Sequence, residues 1–178
     1  LQTDVVLAIG NNSKSGFLHV ARQNQVPTAH ISTVTHRDDA ARDAAMLTAL
    51  GAAQPDLVVL AGYLKKIGPQ VLAAHAGHII NTHPALPPTY GSTGMYGDRV
   101  HQAVLADGVT TTGATLHLVT ENYDEGPILA QRSVAVLPDD TVESLRQRVQ
   151  ATERALLLEW LTAWSLSSDA PLSPVMPG

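Results

Sequence analysis

The sequence has no cysteine among its 178 residues. Disulfides, thiolate nucleophiles, iron–sulfur clusters and cysteine-ligated zinc are therefore excluded. Aromatic residues are scarce, at 4%, so alanine, valine and leucine must supply the packing of any core. Charged residues make up only 15%, and the net charge is −5. That balance argues against a surface that coats DNA or RNA, while leaving room for a local basic pocket. Long apolar runs are also missing: the longest, Leu57 to Leu64, is interrupted by Gly62 and is too short to span a bilayer. The segment Leu1 to Gly10 carries Asp4 and lacks a basic start, so it does not read as a signal peptide. The expectation is a soluble, cytoplasmic protein with no membrane and no nucleic-acid partner.

Hydrophobic residues reach 44%, enough to bury a core in a chain of 18.8 kDa. One domain is expected over residues 1–164, followed by a Pro/Ser-rich tail over 165–178. Asp4–Ile9 reads as a buried strand closed by Gly10-Asn11-Asn12, and Lys14–Asn24 as a helix with Phe17, Val20 and Ala21 on one face. Val26–Ile31 is a second strand, and Asp38–Ala53 an alanine-rich helix. Asp56–Ala61 is a third strand, and its unbroken LVVLA suits a strand buried on both faces of a parallel sheet. Gly68–Ala76 is a short helix with Pro69 at its first position, and His78–Asn81 a short strand followed by a long loop. Asp98–Asp107 is helical. Thr111–Thr120 alternates, with Ala114, Leu116 and Leu118 against Thr115, His117 and Val119, and should pair antiparallel with Ile128–Leu137. In the last helix Asp140 is expected to cap and Glu143 to close a capping box, with Val142, Leu145, Val149, Leu156 and Trp160 at helical spacing. The fold class is α/β: a Rossmann-like open, mostly parallel sheet with helices on both faces and an antiparallel C-terminal strand pair. Such sheets bind ligands at the carboxyl ends of their strands.

Asn81 and His83 emerge two apart at a strand's carboxyl end. An amide donor beside a titratable imidazole can stabilise an oxyanion and move a proton. A loop with an Asx turn and an ordinary surface histidine is the equally open reading. Asp124 lies in the polar turn VTENYDEGPIL. It is either a solvated turn carboxylate or folds back onto His83, raising the imidazole's pKa and fixing its tautomer. Gly10-Asn-Asn-Ser-Lys14 fails as a phosphate loop, because no glycine stands immediately before the lysine and the gap from Gly10 is too short. His75, His78 and His83 match no standard zinc spacing, so no metal is expected. Trp160 and Trp164 read as core residues, not as a stacking platform.

Four blocks carry a wider resemblance: DLVVLAGYLKKIGPQVL, HIINTHPALPPTYGSTGMYGDRVHQAVL, TTTGATLHLVTENYDEGPILAQ and LRQRVQATERALL. In this order and spacing the chain resembles the folate-dependent formyltransferases from about Asp4 to Trp164. The resemblance implies transfer of a formyl group from 10-formyltetrahydrofolate to the amine of glycinamide ribonucleotide, in de novo purine biosynthesis. It implies Asn81, His83 and Asp124 as catalytic residues, with Asp124 keeping His83 charged. It implies folate contacts from Leu64, Lys65, Lys66 and Ile67, from Val119, Thr120, Glu121, Asn122 and Tyr123, and from Arg37. Gln150 and Glu153 match positions that contact the nucleotide. The resemblance implies no metal, a small-molecule substrate, and a monomer or homodimer. Asp4–Gly10 matches the family's second strand, so the family's first strand and its phosphate-holding loop are expected to be missing from this sequence. A sugar-nucleotide N-formyltransferase and a truncated, non-catalytic folate-binding protein are the alternatives.

Overall fold

The computed structural model describes residues 3–91, 94–122 and 124–166. Contacts divide the chain into two compact units: Thr3–Val58 with Lys65–Ala76, and Val59–Leu64 with the chain from Gly77 onward. No shift in composition marks this division, which is why the sequence reads as one domain over 1–164. The tail beyond Leu166 lies outside the described residues. Among the described residues no helix is long and apolar enough to cross a membrane.

In the first unit, β1 (Ala8–Gly10) pairs in parallel with β2 (Thr28–His30), Ala8 opposite Thr28. Both strands are shorter than the apolar runs that announce them. Between them runs α1 (Gly16–Gln23), capped by the Ser15 hydroxyl, which accepts from the Leu18 amide. Ala8, Leu18 and Ala21 are buried together, with Val26 against them. Of the apolar residues expected on one face of α1, Ala21 is inside, whereas Phe17 and Val20 are exposed. The helix α2 (Asp39–Ala53) starts where Asp38 accepts from the Ala41 amide at 2.7 Å. It packs on α3 (Pro69–Ala74). Gly68, the α3 N-cap, has no side chain to offer, and Asp43 of α2 takes over: its two oxygens accept from the Gln70 and Val71 amides at 2.9 and 3.1 Å. A Cβ at Gly68 would collide with that carboxylate. Asp43 is buried, so Asp43→Ala strands two amide donors and should cost about 1–3 kcal/mol for each one left unpaired, read by denaturant unfolding.

The second unit is built on a four-stranded sheet in the order β3 (Val58–Leu60), β4 (Ile79–His83), β5 (Thr111–Leu118), β6 (Ile128–Ala135). β5 runs antiparallel to both β4 and β6, so antiparallel pairing reaches one strand further back than the expected C-terminal pair. β3 stands at the edge of this sheet, and Val59 is 37% exposed; the strand is not buried on both faces as its apolar run suggests. β5 is the opposite case. Every residue from Thr112 to His117 is buried, so both of its faces are covered and the polar members of its alternation are inside. The helices α4 (Asp98–Ala106) and α5 (Val142–Ser165) pack on each other, and α5 also lies against β5 and β6. Val100, Val104, Val134, Leu145 and Val149 form the core between them.

The start of α5 differs from expectation. Thr141 is the N-cap, and it exchanges hydrogen bonds with Ser144 in a capping box. Asp140 is drawn away instead to Arg148, which donates to both of its oxygens at 2.7 Å and holds its carboxyl well below the usual carboxylate range. Trp160 is buried, and Trp164 stacks on it with ring centroids 6.2 Å apart.

Candidate active site

β4 delivers Asn81 and His83 to one face of the sheet, because residues two apart on a strand share a face. In the β4–β5 register Asn81 faces His117, and His83 faces Thr115. Thr115 donates to the Ala85 carbonyl at 2.7 Å and accepts from Gln131 at 3.0 Å, which fixes the chain just beyond His83. His117 donates from Nδ1 to the Leu118 carbonyl at 2.9 Å, leaving Nε2 to accept from the Asn81 amide at 3.2 Å. His117 belongs to this cluster although its sequence context marks it only as one member of an alternating strand. The available signal is its register opposite Asn81.

The turn after β5 brings the acid. The Leu118 amide donates to the Pro127 carbonyl at 2.9 Å and closes the loop. A Cβ at Gly126 would collide with the Leu118 carbonyl, so only glycine fits where the loop closes. Asp124 sits at φ +52°, a left-handed conformation that costs a residue other than glycine or asparagine energy and recurs at functional sites. Its side chain is 8% exposed, with Oδ2 3.5 Å from His83 Nδ1 and Oδ1 3.5 Å from His117 Nε2. One carboxylate is thus bracketed by two imidazoles.

His83 donates from Nε2 to the Tyr90 carbonyl at 2.8 Å. A carbonyl only accepts, so Nε2 carries the proton and Nδ1, facing Asp124, is the nitrogen left to titrate. Burial pushes the imidazole below its usual pKa; Asp124 and the Tyr90 carbonyl oppose this, and His117 adds to it. Desolvation prevails. That direction runs against the expectation that Asp124 keeps the imidazole charged, although Asp124 is the largest influence in favour of charge.

These groups open onto a cavity of about 300 Å³ whose apolar wall includes Leu64, Met95 and Leu157. Gln150 and Glu153 of α5 line it as well, together with Thr82. Burial raises the Glu153 carboxyl to about 7, against hydrogen bonding from the Thr82 hydroxyl and the charge of Arg154. His101 also lines the cavity; it is buried, and burial lowers its pKa.

The formyl transferase family model matches residues 1–161. The chain belongs to this family. Among its formyl transferase relatives, the phosphoribosylglycinamide formyltransferase of Mycobacterium tuberculosis is 40% identical over 158 residues, 89% of this chain and 71% of that protein. The chloroplastic phosphoribosylglycinamide formyltransferase of Vigna unguiculata is 39% identical over 163 residues, 92% of this chain and 52% of that protein. The chain thus spans about half the length of this plant relative. The crystal structure of phosphoribosylglycinamide formyltransferase from Bacillus halodurans superposes with a TM-score of 0.85 at 30% identity, covering 93% of this chain and 83% of that one. The fold is therefore the open α/β formyl transferase fold.

Of the residues expected at the formyl transferase site, Asn81, His83, Asp124, Leu64, Gln150 and Glu153 line this one cavity. Val119, Thr120, Glu121 and Asn122 form the first half of the turn that carries Asp124; the Val119 amide donates to the Ile79 carbonyl at 2.8 Å, and Thr120, Glu121 and Asn122 are exposed. Tyr123 lies outside the described residues. Lys65, Lys66, Ile67 and Arg37 belong to the other compact unit, where Ile67 is buried and the three cationic residues are exposed.

Proposed function

We propose that the protein transfers the formyl group of 10-formyltetrahydrofolate to the amine of glycinamide ribonucleotide. The observation that carries this reading is the convergence of an amide donor, a buried imidazole and a buried carboxylate at one edge of the cavity. Similarity to phosphoribosylglycinamide formyltransferases over most of the chain supports the choice of acceptor.

The donor set fits a formyl carbonyl and an attacking amine. Bound 10-formyltetrahydrofolate supplies a formyl group on a nitrogen that can leave. Asn81 offers its amide N–H to the negative charge that develops on the formyl oxygen. His83 Nδ1 takes the proton that the amine sheds as its nitrogen bonds to the formyl carbon. Asp124, 3.5 Å away, stabilises the imidazolium that results. His83 then returns the proton to the departing folate nitrogen as the carbon–nitrogen bond breaks, so the exchange consumes no net proton. His117 and Asn81 hold each other, which orients the amide. The turn Val119–Asn122 and the segment from Leu64 to Ile67, with Tyr123 and Arg37, are the proposed folate contacts; Gln150 and Glu153 are the proposed contacts to the nucleotide.

An acceptor panel tests the reading. Purified protein with 10-formyltetrahydrofolate should formylate glycinamide ribonucleotide, leave an amino sugar nucleotide unreacted, and release little formate when no amine is present. Preference for the sugar nucleotide, or release of formate alone, would overturn the assigned acceptor.

A further inference from the structure

Tyr90 is an unusual residue to find where it is. Its φ is +59°, a left-handed conformation with a bulky side chain. Its carbonyl accepts from His83 Nε2 at 2.8 Å. Its ring packs on the buried cluster of Ala85, Val100, Val104 and Val134, and its hydroxyl donates to Asp107 Oδ2 at 2.8 Å. Asp107 is itself fixed: it is the C-cap of α4, and its amide donates to the Ala103 carbonyl at 2.9 Å. The carboxylate raises the phenol's pKa, so the hydroxyl stays a donor over the working pH range.

These contacts form a continuous chain from the end of α4 to the imidazole. Left-handed backbone is adopted by such a residue only where its surroundings over-determine it. Ring packing and the hydroxyl anchor both constrain Tyr90 from the side of α4. We infer that the Tyr90–Asp107 hydrogen bond is a positioning clamp, which holds the Tyr90 carbonyl against His83 Nε2 and thereby keeps Nδ1 as the nitrogen presented to Asp124 and to the reaction. The catalytic consequence rests on the role proposed above for His83; the clamp's effect on the imidazole does not.

Tyr90→Phe isolates the clamp, because it keeps the ring in the core and removes only the hydroxyl. It should lower kcat about fivefold, the factor that corresponds to the net worth of one hydrogen bond, with KM for 10-formyltetrahydrofolate unchanged. In an NMR titration the His83 midpoint should move down, because the carbonyl that favours the charged ring is less firmly placed. The fraction of His83 protonated at Nδ1 in its neutral form should rise. Asp107→Ala should behave alike, and the double variant should be no worse than either single one. Asp107→Asn, which retains an acceptor oxygen, should restore most of the activity. An unchanged His83 midpoint and tautomer in Tyr90→Phe would overturn the inference, even if stability fell. His83→Ala separates the two ideas: wild-type turnover in that variant defeats the catalytic reading, while the titration of His83 in Tyr90→Phe still decides the clamp.

Discussion

Replacing His83 with alanine is expected to lower the turnover of formyl transfer by about two to four orders of magnitude, the scale on which proton transfer and oxyanion stabilisation act. The imidazole is buried, its Nε2 is committed to the Tyr90 carbonyl, and its Nδ1 is the only ring nitrogen left for chemistry. Burial lowers its pKa, which favours the form that can take a proton, and Asp124 stands close enough to stabilise it once it has done so. The rate should therefore rise with pH through the lowered His83 pKa and then level off. Asp124→Asn removes the largest influence that opposes desolvation, so the His83 midpoint should fall further in an NMR titration. Turnover should fall with it, because the imidazolium loses its partner. Folate affinity should change little in either variant, since the proposed folate contacts come from other residues. Near-wild-type turnover in His83→Ala would remove this residue from the mechanism.

Glu153→Gln is expected to make the fold more stable and the enzyme worse. The carboxyl is raised to about 7 by burial, against an ordinary value of 4.5. A carboxyl whose folded pKa is raised binds its proton more tightly in the folded state, so stability declines as pH rises from about 4.5 to about 7 and stays reduced above. A tenfold change in proton affinity corresponds to about 1.4 kcal/mol, so at pH 8 the cost reaches up to about 3 kcal/mol. Glutamine fills the same space without the charge. The variant should therefore unfold at higher denaturant than the parent at pH 8, and the two should converge near pH 4. A carboxylate kept at this cost beside the catalytic edge is consistent with a substrate contact. If it holds a donor group of the nucleotide, its loss should raise KM for glycinamide ribonucleotide roughly tenfold to a hundredfold, the range for hydrogen bonds to a charged group. Equal stability of the two proteins at pH 8 would show that the carboxyl is not desolvated.

The elements with strong periodicity were legible from the residues alone. Leu145, Val149, Leu156 and Trp160 line the buried side of α5 as their spacing requires, and the alternation over Thr111–Thr120 marks β5 and its pairing with β6. Asn81, His83 and Asp124 were legible as candidates because polar residues at strand ends and in turns gather at ligand sites. What the pattern could not carry was desolvation. His117 sits among the polar members of its alternation, yet both faces of β5 are covered, so it joins the site instead of facing water. The same burial pulls the His83 pKa down against the pull of Asp124, a contribution that pairwise reasoning from Asp124 leaves out. The α5 cap went to Thr141 because Arg148, two turns into the helix, captures the neighbouring Asp140. Sequence spacing points to Asp140 as the cap, but does not show that a distant guanidinium will occupy it.

The cavity edge formed by Asn81, His83 and Asp124 is proposed to pass a formyl group from a folate to an amine. Following a ¹³C-labelled formyl group by NMR, with purified protein and both substrates present, tests this directly. The label should move from 10-formyltetrahydrofolate into the formamide of the ribonucleotide at a rate that collapses in His83→Ala. Label that stays on the folate, or that appears only as free formate, would contradict it.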